Sequence, residues 1–498
     1  MYRRLIFRLV GTCLLTMAGA AHAGGFICVG GLSCEETIQG AVDRANPGDV
    51  IEISPRPDGL PRVETVTITT AGLTIRGSEP VAFDIDDFES LVAVDWVAER
   101  AACSTVQLTS CGAGGSTDCS LPYFRVEADD VTIEGLTLLG SSTGGIEMVN
   151  GAAALTLDSN CFIGRSRMVS TLEETPSHNL VVTRNRAFGL SSTTTFHGDG
   201  TRVELNLLNN TDGIRLQGDD TTAHLNAVYL MTDNEPIEAR GSNATITSNY
   251  LRANDDAGIM FSGVGATIAD NLIDGAVEEW GIHIRAPSDF DSEAADQSDQ
   301  VTIRNNEIIA AGRSGIELRA SNSIVEGNSI ERSGTPRVGG NDELPSELAR
   351  LHAGIWIRGS DNTIENNVVT LAGTAGIKNG DGVTPSDRNV FQGNRVSFSA
   401  MNGLLIYAGD AITVSNNELI DNDGEGLATN DRAGAITVEG NLLQGNRLDL
   451  CNCGAELTLT SNSFDSGGPT ADCIVAREPG SSCPKQIFRA GFEDADLF

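Results

Sequence analysis

The chain has 498 residues, with 68 acidic and 33 basic side chains and a formal net charge of −35. This negative charge argues against a nucleic-acid partner, because the phosphate backbone binds basic surfaces. A chain of this length would ordinarily form two or three globular domains, but an internal repeat changes that expectation.

The N-terminal residues have the pattern of a secretory signal peptide. Arg3, Arg4 and Arg8 are followed by a short apolar run and by small residues that end at Ala23. The run is too short for a membrane helix, and no later apolar stretch is long enough to be one. The pattern predicts a signal peptide over residues 1–23 and a protein secreted to the periplasm or the exterior without membrane insertion.

Ten of the 11 cysteines follow that segment, and they lie in clusters. An even number of cysteines in an oxidising compartment favours disulfides, so both ends of the chain are predicted to be held by them. A metal site at Cys451 and Cys453 is the alternative, but no histidine lies nearby. The clusters are Cys28 and Cys34; Cys103, Cys111, Cys119 and Cys161; and Cys451, Cys453, Cys473 and Cys483.

Most of the chain is a repeat of roughly 22 residues, built on the motif Thr-Ile-x-x-Asn-x-Ile. Clear copies begin at Thr267, Thr302 and Thr437, and a Gly-Ile pair follows most copies. The β-branched segments alternate in polarity, which predicts short strands, and Asn and Gly separate them where the backbone turns. The motif asparagines are at positions 160, 185, 206, 226, 249, 271, 306, 328, 367, 394, 417, 441 and 462.

A single repeat cannot bury its own apolar side chains, so the repeats are expected to stack. Stacking forms interior columns of Ile, Val and Leu, pairs the strands in parallel, and aligns the asparagines at one buried bend. Leucine-rich repeats need more leucines and a helical segment, and the 56 glycines oppose helical repeats. The sequence therefore predicts an all-β, single-stranded parallel β-helix.

With this repeat, the chain resembles the pectate-lyase-like family of right-handed parallel β-helices over about residues 35–466. The segment from Glu36 to Ile51 is similar to the capping helix and first strand of that family. The resemblance implies an N-terminal cap and first strand at residues 24–60, a solenoid at 61–466, and a C-terminal cap and tail at 467–498. It implies no single activity, since this fold carries lyases, hydrolases, epimerases, adhesins and assembly factors.

After each Gly-Ile pair, alternate side chains point outward and form two columns along the stacked coils. Neighbouring coils lie about 4.8 Å apart, so three arginines in one column would form a cationic stripe in an acidic chain. A carboxylate is the natural partner, since guanidinium binds it through two charge-assisted hydrogen bonds. One column contains Arg285, Arg319, Arg358 and Tyr407, and the other contains His283, Glu317, Trp356 and Lys378.

These columns predict recognition of an acidic polysaccharide or cell-surface glycan, with Trp356 and Tyr407 as platforms for sugar rings. In a lyase or epimerase, the arginines would neutralise the uronate carboxylate, and the catalytic candidates are His283, Glu317 and Lys378. Tyr407 lies several coils from His283, which argues against these two as an acid–base pair. The alternative is that each arginine pairs with nearby acids and the chain is a non-catalytic, monomeric adhesin or surface-interaction solenoid.

The asparagine spacing lengthens twice, which marks insertions near 286–300 and 334–352, and a further insertion lies near 80–125. The first two would rise on opposite sides of the arginines and form a groove. Calcium is a candidate ligand of Asp289, Asp291 and Glu293, although the Gly and Glu of an EF-hand loop are absent; a solvated acidic loop is the alternative. No cofactor is otherwise required.

A glycoside hydrolase would need two carboxylates beside the glycosidic oxygen. Asp212, with Asp219 and Asp220 after it, resembles fragments of the polygalacturonase signature, but the Gly-His-Gly and Arg-Ile-Lys motifs of that family are absent. Asp212 is therefore interpreted as a turn residue. His197 and His352 are interpreted as structural or incidental.

Overall fold

A computed structural model gives the fold and describes residues 24–79, 83, 85, 87–109, 121–140, 145–164, 167–190, 194–229, 234–254, 256–276, 279–289, 298–334 and 352–465. The predicted signal peptide and C-terminal tail lie outside these residues, as do Cys111, Cys119, Cys473 and Cys483.

The described residues form three long sheets of 17, 16 and 17 strands, here named sheets 1, 2 and 3. Sheet 1 contains Phe26–Val29, Val50–Ile53, Thr74–Gly77, Thr132–Glu134, Thr156–Asp158, Val181–Thr183, Arg202–Glu204, Thr222–His224, Thr245–Thr247, Thr267–Ala269, Thr302–Arg304, Ile324–Glu326, Thr363–Glu365, Val390–Gln392, Ile412–Ser415, Ala435–Glu439 and Glu456–Thr460. Sheet 2 contains Arg62–Val63, Gln107–Thr109, Thr137–Leu139, Cys161–Ile163, Arg186–Phe188, Leu207–Asn209, Ala227–Tyr229, Tyr250–Asn254, Leu272–Ala276, Glu307–Ile309, Ser329–Glu331, Val368–Thr370, Arg395–Ser397, Glu418–Ile420, Leu442–Gln444 and Ser463–Phe464. Sheet 3 contains Val66–Ile68, Phe124–Val126, Ile146–Met148, Val169–Ser170, Thr194–His197, Ile214–Gln217, Ile237–Ser242, Ile259–Val264, Ile282–Ile284, Ser298–Asp299, Ile316–Leu318, Ala320–Ser321, Ala353–Ile357, Ala375–Asn379, Leu404–Gly409, Glu425–Ala433 and Leu448–Asn452.

Each coil contributes strands to these sheets in turn, and each strand pairs in parallel with the equivalent strand of the next coil. In sheet 1, for example, Ile268 lies between Ile246 and Ile303, and all three side chains are fully buried. The alternation of the repeat thus becomes a continuous interior column of β-branched side chains. The predicted right-handed parallel β-helix is confirmed.

The predicted asparagine column is a continuous buried ladder of hydrogen bonds. At Asn306, the side-chain amide donates to the carbonyl of Ile268 and to Oδ1 of Asn328, both at 2.9 Å. Its own Oδ1 accepts from the backbone and side-chain amides of Asn271. The same side-chain link joins every successive pair of the thirteen motif asparagines from Asn160 to Asn462.

A short helix, α1 (Ile38–Arg44), caps the N-terminal end, as predicted. The Thr37 hydroxyl accepts from the amide of Gly40, which satisfies one of the free N–H groups of the first turn. Sheet 1 begins earlier than predicted, because Phe26–Val29 precedes α1 and pairs with Val50–Ile53. Val50–Ile53 lies within residues 24–60, where the cap and the first strand are predicted, and Phe26–Val29 is an additional strand before α1.

Two disulfides hold the N-terminal part of the described chain. Cys28 is bonded to Cys34, and Cys103 is bonded to Cys161 on sheet 2. Cys451 and Cys453 are disulfide-bonded as well, which opposes the alternative of a metal site there. The second disulfide anchors the insertion near 80–125, which carries helices α2 (Phe88–Val92) and α3 (Trp96–Ala101). No described helix is long and apolar enough to cross a membrane.

Candidate functional site

The three arginines of the predicted stripe occupy equivalent positions on successive coils of sheet 3. The backbone amide of Arg285 donates to Phe261 of the preceding coil at 2.9 Å, that of Arg319 to Ile284 at 3.1 Å, and that of Arg358 to Leu318 at 2.8 Å. All three are partly exposed. We name Arg285, Arg319 and Arg358 the arginine column.

The second predicted column is also in register. His283 is paired with Glu317, Glu317 with Trp356, and Trp356 with Lys378. These side chains leave the outer face of sheet 3, yet Glu317 is only 2 % exposed, Lys378 4 % and Trp356 5 %. Trp356 packs in an outer apolar cluster with Ala353, Ala375, Leu405, Ala428 and Tyr407. An outward direction therefore does not make this column an open surface.

Arg358 is bound by two carboxylates. Its guanidinium donates to Oε1 of Glu317 at 2.7 Å and forms an ion pair with Asp381 at 2.9 Å. Burial raises the pKa of the Asp381 carboxyl. The backbone amides of Val383 and Thr384, both 2.7 Å away, and the charge of Arg358 have a larger combined effect, so the pKa is lowered. The alternative interpretation, pairing with nearby acids, thus holds for Arg358. Arg285 and Arg319 also interact with other groups of the chain.

Glu317 is a buried carboxyl whose two oxygens differ in environment. Burial raises its pKa, although Arg358, Trp280 and Lys378 oppose the shift. Oε1 accepts a hydrogen bond from Arg358. Oε2 is buried, and no described residue donates a hydrogen bond of ordinary geometry to it; this includes the nearby indole N–H of Trp280. A buried, half-satisfied carboxyl with a raised pKa is typical of functional sites.

An aromatic group surrounds His283. The Trp280 ring stacks on His283 with centroids 3.9 Å apart, and the guanidinium of Arg313 lies 4.4 Å from the Trp280 centroid. His352 meets Trp280 and Trp356 edge-on at 6.4 and 6.2 Å. Burial, with nearby arginines, lowers the pKa of His283 to about 3. Burial, with Arg313 and Lys378, lowers the pKa of His352 to about 4, so both rings are neutral at neutral pH.

Lys378 lies between two aromatic rings. Its Nζ is 4.5 Å from the Trp356 centroid and 5.2 Å from the Tyr407 centroid. Burial lowers the pKa of Lys378 to about 8, with Asp381 and Glu317 opposing the shift. Lys378 lies three coils from His283, about 14 Å along the solenoid. The catalytic candidates thus form two groups, His283 with Glu317 and Lys378 with Tyr407.

A family model for the right handed beta helix region matches residues 198–342 and 296–471, together more than half of the chain. The chain belongs to this β-helix family. No curated protein matches this β-helix chain.

Three solved structures are similar to the β-helix chain. The periplasmic alginate epimerase AlgG is 14% identical with a TM-score of 0.37, covering 70% of this chain and 79% of its own. DFA-IIIase from Arthrobacter chlorophenolicus A6, without its lid, is 14% identical with a TM-score of 0.38, covering 76% and 87%. The A-module of the Azotobacter vinelandii mannuronan C-5 epimerase AlgE6 is 11% identical with a TM-score of 0.31, covering 87% and 95%. Similarity at this level carries no statement about activity.

Sequence reasoning missed several residues of this site in the β-helix chain. Trp280 and Arg313 precede their strands, and Asp381 lies in a turn, where the alternation of the repeat gives no direction for a side chain. His352, interpreted as structural or incidental, contacts both tryptophans of the site, and its Nδ1 is buried without a hydrogen bond to any described residue; these contacts agree with a structural role. One available signal was the rarity of tryptophan, which occurs only three times in the sequence.

Other predicted residues lie elsewhere in the β-helix chain. Oδ1 of Asp219 accepts from the amide of Ser242, and Oδ1 of Asp220 accepts from Asn243, so both join turns of neighbouring coils. Of the calcium candidates, Asp291 and Glu293 lie outside the described residues, and the backbone of Asp289 ends a 3-10 helix, Pro287–Asp289. Within the described part of the chain, no three carboxylate, His or Cys side chains cluster as metal ligands.

Proposed function

We propose that this β-helix protein is exported and binds an acidic polysaccharide along the outer face of sheet 3. The observation that carries the proposal is the register of the arginine column, with three partly exposed guanidinium groups on successive coils. Coils about 4.8 Å apart offer a repeating set of cations to a linear polymer that carries a carboxylate on each sugar. The disulfides support export, because such bonds persist mainly in oxidising compartments.

The contacts refine the role proposed for each residue. Arg285, Arg319 and Arg358 are the proposed carboxylate-binding residues, and each also interacts with groups of the chain, Arg358 with Glu317 and Asp381. Tyr407 is partly exposed and suits the apolar face of a sugar. Trp356 is buried against Lys378 and is therefore a positioning residue.

Proton transfer to Lys378 is a second candidate function, favoured by the lowered pKa of a lysine that contacts Tyr407. With the uronate carboxylate neutralised by arginine, the neutral amine takes the C5 proton. In a lyase, the C4–O bond then breaks, a C4–C5 double bond forms, and the leaving oxygen takes a proton from the Lys378 ammonium or the Tyr407 hydroxyl. In an epimerase, the C4–O bond stays intact and C5 takes a proton on its opposite face. His283 with Glu317 is the alternative acid–base pair. Calcium at Asp289, Asp291 and Glu293 stays a separate proposal.

Calorimetric titration with oligosaccharides of alginate, pectate and glycosaminoglycans tests binding. The double variant Arg285→Gln, Arg319→Gln should weaken binding at least about tenfold, because each charge-assisted hydrogen bond contributes about 1.5–3 kcal/mol. The matched control is Arg388→Gln, Arg395→Gln, which removes the same charge from exposed ion pairs elsewhere on the solenoid. Equal affinity of the double variant and the control, or no binding by the wild type, would contradict the proposal.

Turnover is tested on the same oligosaccharides by the ultraviolet absorbance of an unsaturated uronate and by NMR of the sugar stereochemistry. Lys378→Met should abolish product while binding stays within a few-fold of the wild type. Binding by the wild type without product would favour the non-catalytic adhesin. Product formation by Lys378→Met at the wild-type rate would exclude Lys378 as the base.

A further inference from the structure

A second concave surface lies on sheet 2, where helix α3 crosses the ends of three strands. This cavity has a volume of about 710 Å³. Its strands, Cys161–Ile163, Arg186–Phe188 and Leu207–Asn209, belong to coils well before those of the arginine column. We name it the sheet 2 groove. Its lining includes Trp96, Val97, Arg100, Phe188, Asn209 and Asn210.

The floor of the sheet 2 groove is open because its turn residues are small. Ile163, Phe188 and Asn209 are aligned at the strand ends, and Gly164 and Gly189 follow the first two. Gly189 has a φ of 67°, and a Cβ built on it would meet no atom of the described residues within 4 Å. No described residue therefore fills the space above this turn.

The wall of the groove is fixed to the solenoid. Cys103, two residues after α3, is bonded to Cys161 on sheet 2. Glu99 of α3 forms an ion pair of 2.6 Å with the buried Arg186. The Trp96 ring also contacts Tyr229, with centroids 5.5 Å apart. These three links hold α3 above the strand ends, so the groove is a preformed feature.

The lining combines apolar surface with polar groups that lack partners. Val97 is 81 % exposed, and Trp96 is partly exposed beside it. Arg100 is exposed, and its guanidinium lies 6.0 Å from the Phe188 ring centroid. It has no carboxylate partner among the described residues, although the chain has twice as many acidic as basic residues. Neither Asn209 nor Asn210 makes a side-chain hydrogen bond within the described structure.

We propose that the sheet 2 groove binds one carboxylated sugar residue, with the apolar face of its ring on Trp96 and its carboxylate on Arg100. The two asparagine amides would bind ring hydroxyls, since an amide both donates and accepts. Aromatic walls with a few convergent polar groups are typical of ligand sites. The class of ligand rests on the proposed function, but the location is independent of the arginine column.

Titration followed by NMR of the tryptophan indole N–H groups tests this site in the full chain. The sequence has three tryptophans, so the spectrum has three such signals, and Trp96→Phe assigns the first. Adding a trisaccharide of galacturonate or guluronate should shift the Trp96 signal. Arg100→Gln should weaken that response at least fivefold, whereas the exposed control Arg44→Gln should leave it unchanged.

The Arg285→Gln, Arg319→Gln variant separates this inference from the proposed function. A Trp96 shift that persists in this variant supports a separate groove, even where binding on sheet 3 is lost. Binding on sheet 3 with an unmoved Trp96 signal would overturn the sheet 2 groove alone. A response to a neutral trisaccharide as strong as that to the acidic one would overturn the assignment of Arg100 as a carboxylate ligand.

Discussion

Lys378 is one of only two lysines in the sequence, the other being Lys485. Arginine keeps its charge at any ordinary pH, whereas a buried lysine can lose it. At Lys378, burial disfavours the ammonium form, and the rings of Trp356 and Tyr407 with the carboxylates of Glu317 and Asp381 favour it. The effect of burial is the larger one, so the pKa of Lys378 is lowered to about 8.

Selective isotope labelling of lysine makes this testable, because the spectrum should contain only two lysine side chains. One signal should titrate near pH 8 and disappear in Lys378→Met. The pKa of Lys378 is lower in the folded state than its usual 10.5. The unfolded chain therefore binds more protons between pH 8 and 10.5, and the free energy of unfolding should rise with pH across this window, by about 3 kcal/mol at most. A Lys378 signal that titrates near its usual 10.5 would refute the buried environment.

The asparagine ladder is the element that the sequence predicts best. Its spacing alone locates thirteen asparagines that occupy one bend of the solenoid, since only a residue that both donates and accepts can bond the coils above and below at once. The same register places the three residues of the arginine column at equivalent positions of successive coils. A periodic pattern therefore predicts which side chains share a column.

Asn306→Ala should lower the free energy of unfolding by roughly 3 kcal/mol, because it removes the acceptor of two buried amide groups of Asn271 and the side-chain donor to Ile268 and Asn328. The midpoint of urea unfolding measures this loss. Asn209→Ala is a matched control, since Asn209 is partly exposed and should change stability by less than about 0.5 kcal/mol. Equal effects of the two substitutions would mean that the ladder contributes little.

Helices α2 and α3 were not predicted from the sequence, because five and six residues are too few to show an apolar period. α3 is stabilised by tertiary contacts, chiefly the ion pair of Glu99 with Arg186 and the disulfide of Cys103. Leu91 of α2 is buried in an apolar cluster with Leu207 and Tyr250. For a similar reason, the sequence predicts only one of the two carboxylate partners of Arg358. Glu317 shares the strand pattern, but Asp381 lies in a turn, whose geometry the repeat does not determine.

At the scale of the whole molecule, an acidic protein with a net charge of −35 is proposed to bind an acidic polymer. The two charges repel at long range, while the arginine column attracts only at contact. Because salt screens charges over about 10 Å at 0.1 M ionic strength, it weakens the long-range repulsion first. The arginine contacts are shorter and partly buried, so they are screened less.

The association rate of an acidic oligosaccharide should therefore increase as salt is raised from low to moderate concentration, the opposite of an attractive pair. Stopped-flow measurement over a series of salt concentrations gives this rate. The dissociation rate should increase as well, since the contacts with Arg285 and Arg319 weaken. In Arg285→Gln, Arg319→Gln, the association rate should keep its dependence on salt, because the overall charge still repels, while dissociation is faster at every concentration. An association rate that falls steadily with salt would mean that a basic surface steers the polymer, and the arginine column alone would then not account for binding.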